Sequence, residues 1–317
     1  MATFINPFID RGFKIIFGRE DSKILLIDLL NDLLEGEHVI TSLSFMNVEM
    51  PGECTDSRAV VFDLKCKDQD GSYFIIEVQN AQQSYFYERG LYYLCRMVCA
   101  QDKIGDKWKF GLYPVYGVFF LNFKSGRTDK VRTDIVLSDR ETGRQMSRMM
   151  RQIYIEMPYF NKKEAECRNG LDYWLYTLKY MEKLQELPFK GQKALFNRLE
   201  ELAKIVNLNK KERLEYEECL KVYRDNQNTW DFAIEKGYDD GFKKGEAEGL
   251  IKGKVEGRAE GRAEGIAEGE AMGMRKGMLT GIQEGIQNVA RSMKEKGIDI
   301  SSIMDCTGLD AETIAAL

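Results

Sequence analysis

The chain has 317 residues, of which 44% are hydrophobic and 11% aromatic, and its net charge at pH 7 is −5. That length and apolar content suffice for a full buried core and more than one folding unit, while the acidic balance excludes a protein drawn to nucleic acid by overall charge. A single histidine, His38, nearly excludes Ser-His and Cys-His nucleophilic mechanisms.

No run of eighteen apolar residues occurs, so no membrane span is expected. Met1 to Pro7 shows neither a charged n-region nor an apolar h-region, so no signal peptide is read there. The seven cysteines have no paired spacing, which points to a reduced, cytoplasmic setting. Cys95 and Cys99, four apart, are expected as two buried thiols on a helix. His38 is expected as an ordinary surface residue in a turn.

In chain order, Asp21 to Leu34 reads as an amphipathic helix. Leu25, Leu26, Leu29, Leu30, Leu33 and Leu34 form its inner face, Phe13, Ile16 and Phe17 pack under its start, and Gly36 stops it. Val39 to Glu49 is expected as a strand ending at Pro51-Gly52. Ala59 to Asn80 reads as a β-hairpin. Val60-Val-Phe62 starts its first strand, Tyr73 to Val78 forms its second, and Asp68-Gln-Asp-Gly71 supplies the turn. Ser84 to Gln101 predicts a helix carrying Arg89 and Arg96 on one face. Tyr113 to Phe123 is a nearly unbroken apolar run, the mark of a central, doubly covered strand. Val131–Leu137 and Arg151–Met157 are two further strands. From Lys163 the period becomes helical, with segments around Tyr173–Leu187, Leu199–Val206 and Leu214–Tyr223 that show no chemistry.

The hairpin carries polar groups where a core strand should not. Side chains alternate across a strand, so Glu77 and Gln79 face one way, and pairing lets Asp63 approach the same face. Two carboxylates at the end of an apolar sheet must be paired, hydrogen-bonded or bound to a metal. Two hard oxygen ligands with open positions suit Mg²⁺ or Mn²⁺. The bland alternative makes Asp63 a strand-start residue and Glu77 an edge residue with a surface partner. Lys65, two residues from Asp63, and Lys14 are cations that can serve the same site or only the surface.

Several stretches together resemble a known family. Asp10-Arg-Gly-Phe-Lys-Ile-Ile-Phe-Gly18 is similar to its N-terminal D-x-x-F-K-x-x-F-G. Phe62-Asp63 and Ile76-Glu-Val-Gln79 are similar to its catalytic strands, Glu88 to Tyr93 to the helix after them, and Tyr113-Pro-Val-Tyr116 to the next strand. The family is the Rpn group of recombination-promoting nucleases and putative transposases, within the PD-(D/E)XK nuclease superfamily. The resemblance implies an α/β, restriction-endonuclease-like core of order αβββαβ, with a mixed sheet flanked by helices. It further implies a Mg²⁺- or Mn²⁺-dependent endodeoxyribonuclease associated with recombination or mobile elements. Asp63, Glu77 and the carbonyl of Val78 would hold the metal. Gln79 stands where the superfamily has lysine, Arg89 would approach the scissile phosphate, and Lys65 is the leading replacement cation. Residues 1–160 hold 20 Lys and Arg against 22 Asp and Glu, so DNA binding needs a local basic surface. A catalytically weak nucleic-acid-binding or scaffold protein remains the alternative.

From Gly237 to Gly285 glycine recurs at every fourth residue, thirteen times. In a helix each costs about 1 kcal/mol relative to alanine. An isolated helix cannot offset that sum, so the arm is expected to be mobile or held against another copy in a homo-oligomer. The predicted division is therefore a nuclease-like domain at 1–160, helices at 161–235, the glycine arm at 236–288 and a short helical tail at 289–317.

Overall fold

Helix α1, Asp10–Phe17, turns Phe13, Ile16 and Phe17 inward. Gly12 lets the preceding loop close under it, since a Cβ there would lie 2.1 Å from the Asn6 carbonyl oxygen. The computed structural model describes residues 3–50, 60–102 and 109–317. The expected strand end at Pro51-Gly52 lies outside the described residues.

Helix α2, Lys23–Leu34, buries the six leucines picked out by their spacing. Its cap is Glu35, at φ +52, with Gly36 following at φ +80, so the left-handed exit begins one residue before the glycine. Val39–Glu49 is not one strand. It yields β1, Leu43–Phe45, and the start of β2, Glu49–Met50.

The first hairpin strand is also divided, into β3, Val60–Val61, and β4, Leu64–Asp68. β3 pairs with β2, whereas β4 pairs with β1 on one side and with β5, Tyr73–Gln79, on the other. The break falls at Phe62-Asp63, because Asp63 uses its side chain to hold the neighbouring strand. The turn is as expected: Gly71 sits at φ +92, and Asp68 accepts the Asp70 and Ser72 N–H groups.

Helix α3, Phe86–Cys99, then leads to β6, Val115–Leu121, followed by β7, Arg132–Ser138, and β8, Gln145–Glu156. The six-stranded sheet runs β1-β4-β5-β6-β8-β7, with β5, β6 and β8 parallel and the other pairs antiparallel. β6 is therefore central. One sheet face, including Phe74, Ile76, Val118, Phe120 and Ile153, packs with residues of α1 and α2. To the same core belong α4, Gly170–Tyr180, which contributes Trp174, and α5, Leu195–Ala203, which contributes Phe196. The other face, with Ile75, Phe119 and Tyr154, meets Phe86, Leu94 and Met97 of α3. Cys95 and Cys99, expected as buried thiols, point outward from α3 and are exposed. The apolar neighbours Leu94 and Met97 take the inner positions.

The chain divides into two compact units, Met1–Asn228 and Thr229–Leu317. Helix α6, Lys210–Glu295, is 86 residues long and includes the whole glycine series. A Cβ placed on any of the thirteen glycines would meet nothing within 4 Å. In the second unit, α7, Ile300–Thr307, and α8, Ala311–Ala316, share a small core of Ala290, Ile303 and Ile314. Among the described residues no helix is long and apolar enough to cross a membrane.

Candidate active site

The register of the hairpin places Leu64 opposite Ile76 and Lys65 opposite Ile75, so the next step outward sets Asp63 against Glu77. Asp63 is tied twice to the end of β5, once to the Glu77 side chain and once to the Val78 backbone. The Asp63 N–H donates to Glu77 Oε1 at 3.2 Å, and Asp63 Oδ2 accepts the Val78 N–H at 2.7 Å. A side-chain carboxylate thus stands where a strand carbonyl would be, which is why the ladder stops there. Glu77, 5% exposed, also accepts from Gln79 Nε2 at 3.4 Å. Glu77 and Gln79 share the α3-facing side of β5 with Ile75.

Both carboxyls are pushed well above the ordinary carboxylate range. Burial is the main cause for each. Repulsion from Asp63 adds to it at Glu77, and repulsion from Asp10 adds to it at Asp63. The Val78 N–H, Lys14 and Arg89 work the other way on Asp63, and the Asp63 N–H, Arg89 and Gln79 on Glu77. Arg89 is thus the one cation among these residues whose charge acts on both acids. Its guanidinium bonds to Gln83 Oε1 at 2.5 Å and lies over Phe86, 5.4 Å from the ring centroid.

Lys14 reaches the site from α1, where it pairs with Asp10 at 2.7 Å. Nothing in the spacing of Asp10 ties it to the hairpin, and only the fold brings its charge to bear on Asp63. Asn80, which follows β5, donates to the Phe8 carbonyl and so brings the start of α1 to the strand end. Lys65 is 8% exposed, its pKa is lowered by burial, and its ammonium lies 5.9 Å from the Phe62 ring centroid. It forms no ion pair with Asp63 or Glu77 among the described residues.

The structure thus brings Asp63, Glu77, Val78 and Gln79 into direct contact, sets Arg89 and Lys14 within electrostatic reach, and leaves Lys65 beside them on the same hairpin. The donor set suits a hard divalent cation. Two carboxylates and a backbone carbonyl are oxygen ligands, and the buried acids repel one another with only partial compensation from cations.

A second group of possible ligands lies at the other end of β4. His38, Asp68 and Asp70 hold ligand atoms within 4.8 Å of one another. His38, expected as an ordinary surface residue, is half-buried, stacks on Phe74 and Tyr116 and lies 2.5 Å from Asp68 Oδ2. The turn of the hairpin carries both aspartates to it, a juxtaposition no local pattern announces. Asp68 is already engaged by His38 and by two turn N–H groups, which gives it a structural role without any ion.

A family model described as PD-(D/E)XK nuclease family transposase matches residues 7–233. No curated protein and no solved structure matches the chain.

Proposed function

The chain belongs to the PD-(D/E)XK nuclease family transposases, and we propose that it is a divalent-metal-dependent endonuclease that hydrolyses DNA phosphodiester bonds in recombination or in the movement of mobile elements. The supporting observation is the pair of hydrogen bonds from the Asp63 N–H to Glu77 and from the Val78 N–H to Asp63, which holds two buried, mutually repelling carboxyls at one strand end. Asp63, Glu77 and the Val78 carbonyl would hold Mg²⁺ or Mn²⁺, which supplies Lewis-acid polarisation of a phosphate and a lowered pKa for bound water. Arg89 neutralises charge on the phosphate and Gln79 orients the attacking water through its amide, without carrying charge itself. Lys14, released from Asp10, or Lys65 supplies any further cation.

Incubating the purified protein with plasmid and linear DNA across Mg²⁺, Mn²⁺ and Ca²⁺ tests the reading. Cleavage should require metal and be lost in Asp63→Ala and Glu77→Ala while both variants remain folded. Full activity in either variant would remove this site. One observation favours a second reading, a nucleic-acid-binding or scaffold protein with a weakened core: the neutral Gln79 at the lysine position of the motif. Calorimetric titration with Mn²⁺ separates the two, since a scaffold has no need to bind the ion.

The glycine arm we assign to homo-oligomerisation. Its exposed Leu250, Ile251, Val255 and Ile266 have no cover. In an antiparallel pair of arms centred on Gly261 every glycine lies level with a glycine. Lys252 is then level with Glu270, Lys254 with Glu268 and Arg258 with Glu264, and no like charges are level between 237 and 285. Parallel in-register arms would instead stack like on like.

A further inference from the structure

The loop between β5 and α3 ends on a residue whose side chain meets none of the described residues. Tyr85 caps the start of α3 in the left-handed region, at φ +61 and ψ 28. A side chain with a Cβ adopts that region at a cost, and glycine or asparagine would occupy it more easily. The ring gains nothing from the described residues. Tyr85 is 79% exposed, and its ring and hydroxyl have no partner among the described residues. Of the three other non-glycine residues described in this region, Glu35 pairs with Arg132 and the Phe189 ring stacks on Tyr173.

The position is held firmly. The next residue, Phe86, is buried and packs edge-on against Phe119, Phe123 and Tyr154. The Arg89 N–H donates to the Tyr85 carbonyl at 2.9 Å. Gln82 and Gln83, just before it, are tied to the Ser125 carbonyl and to Arg89. The left-handed turn therefore drives Phe86 into the core and Tyr85 out into solvent. It does so one helical turn from Arg89, whose charge acts on both Asp63 and Glu77.

We infer that Tyr85 is a stacking platform for an unpaired base next to the scissile phosphate, so that the site takes single-stranded or locally opened DNA. The inference rests on the nuclease reading of that site. A fixed, exposed aromatic ring binds any base through its π-face, and a base within an intact duplex does not offer that face. Ring, guanidinium and acid pair then address base, phosphate and metal in turn.

The test is binding by the full chain, with Ca²⁺ in place of Mg²⁺, to a labelled single strand and to its blunt duplex. Tyr85→Leu should weaken single-strand binding about 5- to 150-fold, the worth of one base–aromatic stack, and leave duplex binding within about twofold. Tyr85→Phe should bind as the parent does. Tyr85→Gly should bind as weakly as Tyr85→Leu although its thermal midpoint is not lowered, because glycine accepts the left-handed turn. Equal loss on both substrates, no loss on the single strand, or a Tyr85→Phe as weak as Tyr85→Leu would each overturn the platform. These readouts do not depend on cleavage. A wild-type protein that cuts no DNA sinks the nuclease reading but not the binding test, and single-strand binding indifferent to Tyr85 sinks only the platform.

Discussion

At the scale of single residues, the Asp63–Glu77 pair weighs on stability in a pH-dependent way. Each carboxyl is raised above the ordinary range near 4, so the folded state keeps protons that the unfolded chain has released. Their contribution to stability therefore falls as pH rises from that range through the raised values. Glu77→Gln removes one charge, and its thermal midpoint should exceed that of the metal-free wild type by a margin that grows from about pH 5 to about pH 8. The gain should be on the order of 1 kcal/mol at the upper end. Added Mg²⁺ or Mn²⁺ should raise the wild-type midpoint more at the higher pH and leave Glu77→Gln nearly unmoved. A margin that shrinks with pH would contradict the repulsion between the two acids. The spacing in the sequence could bring these acids to one face, because a strand's period of two is local. It could not show that Asp63 leaves the ladder to hold the Val78 N–H, that Asp10 joins the electrostatics, or that His38 reaches Asp68.

At the scale of elements, the hairpin turn and the long helix make separate predictions. A Cβ on Gly71 would lie 2.5 Å from the Tyr113 ring, at a φ of +92. Gly71→Ala should cost about 1–3 kcal/mol in chemical denaturation and, by shifting the hairpin register, lower metal binding at the distant acid pair. In α6 the sign of a glycine substitution reports what covers it. Gly253→Ala, Gly257→Ala and Gly261→Ala meet no atom of their own chain, so each should add roughly 1 kcal/mol to an unpartnered helix. If the arms pack closely on one another, the triple variant should instead lose its dimer in sedimentation. A more stable helix with unchanged association would count against glycine-mediated packing. The strong helical periods of α2 and the apolar run of β6 were legible because burial there follows spacing alone. The split of the first hairpin strand was not, since β3 and β4 differ in which neighbour they pair with, not in composition.

At the scale of the whole chain, Met1–Asn228 carries the sheet and the acid pair, while Thr229–Leu317 carries the whole glycine series and its own small core. A chain ending at residue 228 should keep cooperative unfolding and metal-dependent stabilisation, and lose self-association. Loss of the cooperative transition would mean that the first unit depends on the second. The residues by themselves determined the chemistry available: a hard-oxygen pair, a single histidine, a central apolar strand and a glycine period of four. Those follow from side-chain identity and from local periods of two, 3.6 and four. The tertiary structure alone decided which groups share the site, which face of α3 is covered and where the Tyr85 ring points. These depend on strand partners and on left-handed turns, set by contacts between residues far apart in the chain, and no local pattern encodes them.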